Sequence, residues 1–476
     1  MNDEHDKRLP GRKGDPIPVS RSWETADGPE ERWTIYDFGA TYPLGEIRGP
    51  SAGGPPRRAE YSLDGREWTP VLPPEPGEQP LRPESTPHAR YVRTDGKAEA
   101  FLAGAGFAVE PDEEWTRLFH RKQGWTGSDG IYSIPLNGVE APGRAAETRT
   151  LFLFGDTFIG TIDEHTDERR NTVMINNTLA VLDGGRPDPE AITFLWNREG
   201  EAPASAIVPG TPKGLAHEGT YYWLQDGTSV GGRFHCFPLI IGPNPDGPEG
   251  FQFEVHGVVR VSAPMGADGP ELDRQEQADT DLYFRSAAGH TTYFGAAVLP
   301  CTAEAGVREP DGFVYVYGLQ NDGDTKLVVA RALAEELERT EQWTFWDGNG
   351  WTPRKELCAP IASGVSSELS VSPVVGGPLD GKYVLVIQQG GVSGNRVALS
   401  VGDGPAGPFG PYVPLHACAE PEQGRGIYSY NAKAHPHLSP PGELLASYNV
   451  NTTSMDVHMA FGSIYRPRFL RIRQVV

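Results

Sequence analysis

The feature that most restricts what this chain can fold into is a pair of short apolar segments joined by a turn, repeated along most of its length. The pairs return as RTLFLFGDTFIG, GTYYWLQDG with GGRFHCFPLII, GHTTYFGAAVLP with DGFVYVYGLQND, GKYVLVIQQGG with NRVALSVGD, and GELLASYNVNT with VHMAFGSIY. They recur about every 60 to 70 residues, slightly longer than a usual propeller blade of four strands. Five such units imply an all-β chain with a five-bladed β-propeller over residues 109–476. The 58 glycines and 44 prolines fit many short strands and tight turns. One short helix is expected in VVARALAEELERTEQW, where Leu333 and Leu337 sit one turn apart.

The region before residue 109 reads differently. Residues 1–16 are polar and rich in Pro and Gly, which predicts a disordered tail. Over 17–108, ERWTIYDFG, AEYSLDGREWTPV and ARYVRTD alternate apolar and polar residues between turn signals, the pattern of half-buried antiparallel strands in a small β-sandwich. The aromatic strand, the Ser-x-Asp-Gly-x-x-Trp hairpin and the Ala-Arg-Tyr-Val-Arg strand resemble discoidin-like modules, although the stretch is short for that fold.

A net charge of -22 argues against nucleic acid as a partner, because phosphate binding needs clustered Lys and Arg. No apolar run reaches the roughly 20 residues that span a bilayer, and the residues after Met1 lack a signal peptide's apolar core. A cytoplasmic protein is expected as the chain is written, or a secreted one if a leader has been removed. Cys236, Cys301, Cys358 and Cys418 are far apart, so buried free thiols are expected rather than a zinc site or disulfides.

The acids carry the chemistry. Asp156 interrupts an apolar strand at LFLFGDTFIG, where it either shapes the corner or points into a pocket at the strand's end. Asp129 in GSDGIYS has small neighbours that let a ligand approach, and Glu368 in GVSSELSVSP lies on an alternating segment. In a propeller such acids, distant in sequence, meet in one funnel. Glycoside hydrolysis needs two of them, one protonated and one ionised. With N–H groups on either side, Asp129 is expected to be the ionised base or nucleophile; Glu368, before Leu369 and Val371, is expected to be the protonated acid, with Asp156 tuning it. Glu218 and Asp226 compete, the latter reading more as a hairpin turn.

Tyr430, Asn431, Lys433 and His435 lie close together in YSYNAKAHPHLS, a mix able to read sugar hydroxyls or orient a carboxylate. Trp125, Trp223 and Tyr222 offer aromatic faces for a sugar, with core packing as the competing fate; Asn177 completes the binding set. Arg466 and Arg468 suit a latch that closes the ring.

Together QGWTGSDGIYSIPL, LFLFGDTFIG, MINNTLAV, SSELSVSP, YSYNAKAHP, ASYNVNT and YRPRFL resemble the bacterial families of unknown function DUF4185 and DUF5005. Those families are similar to five-bladed propeller glycoside hydrolases, and DUF4185 has been linked to endo-D-arabinanase activity. The resemblance implies a hydrolase of a furanoside or related oligosaccharide and places a base or nucleophile at Asp129. No cofactor is expected, although related propellers hold an axial calcium for which His435 and Asn431 would be the ligands here. A non-catalytic carbohydrate-binding propeller and a polysaccharide lyase working through His435, Tyr430 and arginines are the alternatives.

Overall fold

The computed structural model describes residues 12–26, 32–50, 56–72, 80–210, 215–247 and 252–476. Among them, five antiparallel units of four strands follow one another along the chain. The first runs through Gln123–Pro135, Arg149–Ile162, Thr178–Asp183 and Ile192–Leu195. The second takes Gly227–Val230, Arg233–Cys236, Phe253–Gly266 and Glu276–Asp279. The third is built from Thr291–Cys301, Phe313–Asn321, Thr325–Leu333 and Thr344–Trp346, and the fourth from Leu369–Pro373, Tyr383–Gln389, Arg396–Gly402 and Val413–Ala417. The fifth joins Ile427–Ala434, Glu443–Thr452 and Pro467–Val475 to Gly106–Pro111, a strand from before the first unit.

Alternation along each strand explains how the units stack. In the first unit Leu151 and Leu153 face a cluster shared with Tyr222, Phe234 and Val259 of the second, whereas Phe152 and Phe154 face one shared with Leu445 and Phe469 of the fifth. The same division recurs between second and third, third and fourth, and fourth and fifth units. Five apolar layers thus separate five units in cyclic order. The first strands of successive units also touch in sequence, and side chains close the circle, with Ser133 Oγ 2.8 Å from His435 Nδ1 across the first and fifth units.

The helix expected around Leu333 and Leu337 is absent. Thr325–Leu333 is a strand whose Leu327 and Val329 enter one apolar layer and Val328 and Ala330 the next, so burial on both faces overrides the apparent helical spacing. Only single 3-10 turns follow, at Ala334–Glu336 and Thr340–Gln342. The described α-helices are the six-residue Glu113–Leu118 and Met455–Ala460. All four cysteines are free and buried.

Residues 1–11 of the expected tail lie outside the described residues, but from residue 12 the chain is held. Gly14 N donates to Ala103 O at 2.7 Å, and Ile17 is buried in the amino-terminal core with Phe38, Leu44, Ile47 and Phe101. Backbone bonds and that apolar anchor order a stretch whose composition alone suggested a free tail. Strands between Arg21 and Ala103 surround this core and continue into the fifth sheet through the Thr41 and Val109 pairing. The SLDGREW hairpin is set by Asp64, which accepts from Arg66 N and Glu67 N. Its Glu67 reaches Arg396 of the fourth unit.

Ile472 is the hinge pin of the closing sheet, buried between Val109 and Leu444. Ile472→Ala is expected to cost about 2 to 5 kcal/mol of stability, as for other large-to-small core changes, read as a lowered urea midpoint.

Candidate active site

The strand Gln123–Pro135 does not run straight. Its pairing with Arg149–Ile162 slips at three places, one of them between Ser128 and Gly130, where Asp129 alone stands opposite two residues, Gly155 and Asp156, and the extra residue belongs to the Arg149–Ile162 strand. Gly127, Gly130 and even Ile131 take positive φ there. A bulge of this kind re-aims a side chain out of the ladder. Gly155 lies against it: a Cβ at that position would sit 3.5 Å from the Asp129 side chain, in ordinary contact. The facing strand Ile427–Ala434 carries a matching irregularity between Tyr430 and Lys433, with Asn431 held at φ 60°. An L-residue in that conformation stores strain, which Asn tolerates best, and such strain concentrates at functional sites.

These two distortions bring three units together. Asn431 Nδ2 donates to Asp129 Oδ1 at 3.0 Å and to Glu368 Oε1 at 2.8 Å. Both oxygens are bonded to one nitrogen, so they lie no more than about 6 Å apart, within reach of the roughly 5 to 9.5 Å that glycosidase carboxyl pairs span. Glu368 Oε2 accepts from Lys433 Nζ, a fully buried ammonium that also lies 4.0 Å from the centre of the Tyr132 ring. Asp129 Oδ1 also accepts from Gly130 N at 2.6 Å. Asp156 accepts from Asn176 Nδ2 at 3.3 Å and Trp223 Nε1 at 3.1 Å. All three acids keep partial exposure on strands whose neighbouring residues are largely buried.

Burial pushes the Asp129 carboxyl up to about 7, and the charges of Glu368 and Asp156 add to the rise. Burial also raises Asp156 to about 6, against the opposing effect of its bonds from Asn176 and Trp223. Two carboxylates about 6 Å apart repel by roughly 3 kcal/mol at an effective dielectric constant near 20, which favours one shared proton. Both oxygens of Glu368 face donors, Asn431 Nδ2 at one and Lys433 Nζ at the other. Burial and the neighbouring charges thus favour the protonated form of Asp129, where the sequence led to the expectation of an ionised group.

Other expectations divide cleanly. Tyr430 joins the site: it faces Asp129, and its hydroxyl accepts from Asn451 Nδ2 at 3.0 Å. Trp223 joins it through Asp156. Trp125 does not; it is buried among Phe119, Phe154 and Phe194, because its side of the strand faces an apolar layer. Tyr222 is also buried, with its hydroxyl on Gln277. Asn177 is spent on the backbone, donating to Ile207 O and Tyr222 O and accepting from Ile207 N, while its neighbour Asn176 reaches the site. Glu218 is exposed in the turn closed by His217 and Thr220 and takes no part.

His435 is a structural bolt. Its Nδ1 and Nε2 lie 2.8 Å from Ser133 Oγ and Ser447 Oγ, and burial drives it to the neutral form. With both ring nitrogens taken and the Asn431 amide turned to carboxylates, these two residues do not fit the suggested axial calcium site. Arg466 donates to Thr126 O and Arg121 O, and Arg468 pairs with Glu420, so both arginines bind protein.

Asp226, read from sequence as a turn, opens the first strand of the second unit. It accepts from Gly227 N and Val298 N, each at 2.8 Å, and burial raises it to about 7. The signal for it was present: QDG at 225–227 repeats the SDG of 128–130. A cavity of about 1210 Å³ contains none of these acids. It lies at the other ends of the same first strands, by Asn137, Val230 and Thr302, roughly 20 Å from Asp129 at about 3.3 Å per residue. Chemistry, rather than size, marks the acid end as the site.

The family now follows. DUF5005, described as a domain of unknown function, matches residues 112–475. The chain belongs to DUF5005. No curated protein matches it. A "putative hydrolase" from Bacteroides ovatus ATCC 8483 shares the fold of this DUF5005 member at 21% identity, with a TM-score of 0.58 over 77% of this chain and 90% of that one. Weaker similarity extends to a thermostable family-43 glycoside hydrolase, at 12% identity, TM-score 0.34 and coverage of 74% and 89%. It also extends to a GH62 hydrolase in complex with xylotriose, at 11% identity, TM-score 0.37 and coverage of 74% and 92%.

The raised carboxyls have a thermodynamic signature. The folded state holds the Asp129 proton up to about pH 7, whereas an unfolded Asp releases it near 4. The stability this proton supplies is present below about pH 4 and is lost as pH rises through 7. Asp129→Asn is therefore expected to unfold at higher urea than the wild type at pH 8, with the difference closing towards pH 4.

Proposed function

We propose that this DUF5005 protein is a glycoside hydrolase whose carboxylate pair is Asp129 and Glu368, with Asp156 as the third acid. The observation that carries the reading is the Asn431 amide, which bridges two carboxyl groups from different units at hydrogen-bond distance. A purely structural pair of acids gains nothing from such proximity, because each raises the other's cost of ionisation. Hydrolysis of a glycosidic bond needs this asymmetric pair, one group able to give a proton to the leaving oxygen and one able to take a proton from water or attack.

The five four-stranded units, separated by apolar layers in cyclic order, support a five-bladed propeller, and the separate apolar core before residue 106 supports an appended β-sandwich. The substrate is an oligosaccharide or polysaccharide, with an arabinan-like furanoside as the first class to test. Trp223 offers a partly exposed indole beside Asp156, suited to the apolar face of a sugar. A lyase mechanism would need a proton-abstracting base, and His435 is sealed between two serines. A non-catalytic binding protein would have no use for the raised Asp129 carboxyl.

Screening the purified protein against arabinan, fructan and uronate-containing oligosaccharides, with reducing-end release as the readout, tests the proposal. Turnover of at least one is expected. Asp129→Asn and Glu368→Gln should each lower kcat by about 10² to 10⁴, the usual worth of a positioned acid or base, with circular dichroism unchanged. Undiminished activity in either variant would remove that residue from the pair.

A further inference from the structure

The buried ammonium of Lys433 is the unexplained group of the site. It has almost no exposure and touches the face of Tyr132, and its carboxylate partner is Glu368. Burying a lysine costs several kcal/mol unless its charge is compensated, so its place beside one particular acid needs a reason. Asn431, two residues earlier on the same strand, donates to the other oxygen of that acid and to Asp129 as well. A single distorted strand thus supplies both side-chain donors to Glu368 and one shared with Asp129.

We infer that Lys433 is the positioning residue that keeps Glu368 the anionic member of the pair and leaves Asp129 as its proton carrier. The inference rests on the glycosidase reading for its chemistry but not for its charge arrangement. Glu368 is faced by Lys433 and Asn431 from Ile427–Ala434, by Tyr132 from Gln123–Pro135, by Tyr293 from Thr291–Cys301 and by Asp226 at the head of Gly227–Val230. Asp129 is faced by Asp156 and by the phenols of Tyr430, Tyr428 and Tyr465. The one cation among these named partners, Lys433, bonds Glu368.

In the reaction, Asp129 gives its proton to the glycosidic oxygen as the bond from that oxygen to the anomeric carbon breaks, the oxygen keeping both bonding electrons. A water oxygen bonds to the anomeric carbon, and the proton it sheds goes to Glu368. The pair finishes with its proton moved from Asp129 to Glu368, and exchange with solvent restores the starting state.

Carboxyl ¹³C NMR of the full chain, labelled at Asp and Glu and assigned with Asp129→Asn and Glu368→Gln, reads the pair without any substrate. At pH 6 the wild type is expected to show Asp129 protonated and Glu368 as a carboxylate; the reverse would overturn the inference, and this arm needs no Lys433 variant to fold. In Lys433→Met the Asp129 midpoint should fall by about one pH unit or more as Glu368 takes over the proton, whereas Lys433→Arg should hold it. A lysine that serves packing alone would change stability and leave the midpoint where it was, and that result would also overturn the inference. On 2,4-dinitrophenyl and methyl glycosides of arabinofuranose and xylose, Asp129→Asn should impair the methyl glycosides far more, since a good leaving group needs little proton assistance. Glu368→Gln should impair both alike. Selective loss on methyl glycosides in Glu368→Gln would reverse the roles. If the wild type cleaves no glycoside while the titrations behave as stated, the glycosidase reading fails and the role of Lys433 stands.

Discussion

Everything in this structure depends on sheets that are apolar on both faces. Leu151 and Leu153 point one way from their strand and Phe152 and Phe154 the other, and all four are fully buried. A sheet of that kind cannot end a stack, because one face would be left in water at about 25 cal/mol for every Å² of apolar area. Five units with two such faces each are satisfied when the fifth packs on the first. The arrangement gathers the first strands around one centre, which is why residues 129, 226, 368 and 431 are neighbours.

Closure alone would give only a packed core. The local backbone departs from regularity where function is concentrated: bulges at Asp129 and at Asn431 turn polar side chains out of two otherwise buried ladders. The third unit has an irregularity at the same level, between Phe294 and Ala297, but carries Gly295 and Ala296 there. A Cβ at Gly295 would lie 2.7 Å from Gln225 Nε2 and 2.8 Å from Phe237 atoms, so close packing keeps that position small. The centre is lopsided as a result, acidic from the first, second and fourth units and donor-rich from the fifth.

What could be read from sequence follows from the same physics. Most strand positions were legible because apolar runs and Gly-rich turns are local signals, but VHMAFGSIY, expected to be the partner of GELLASYNVNT, begins in the helix Met455–Ala460, and the partner strand is Pro467–Val475. The segment ending at Leu333 was not legible, since a strand buried on both faces loses the alternation that separates it from a helix. Asp129, Asp156 and Glu368 stood out because acids are rare in apolar strands. Asp226 was hidden by a following glycine that also marks turns, and Asn177 was chosen over Asn176 because residue type cannot tell which of two adjacent amides points to a pocket. The fate of Trp125 and His435 depended on partners more than 25 residues away in sequence, Phe194 for one and Ser133 for the other. The cation beside Glu368 could not be assigned from sequence for a similar reason: Lys433 comes from a strand 65 residues beyond it.

The strand Gly106–Pro111 pairs with Pro467–Val475, the last strand of the chain. In a molecule made on the ribosome from its amino end, the early partner must wait, unpaired on that edge, until Pro467–Val475 has emerged. Long-range pairing of this kind is slow, and exposed strand edges invite association with other chains while it is pending. The amino-terminal core buries Ala108 from this waiting strand, but it also includes Val475 from the far terminus. Arrival of Pro467–Val475 therefore completes two cores together, and a chain cut short before residue 467 would lack the piece on which both depend.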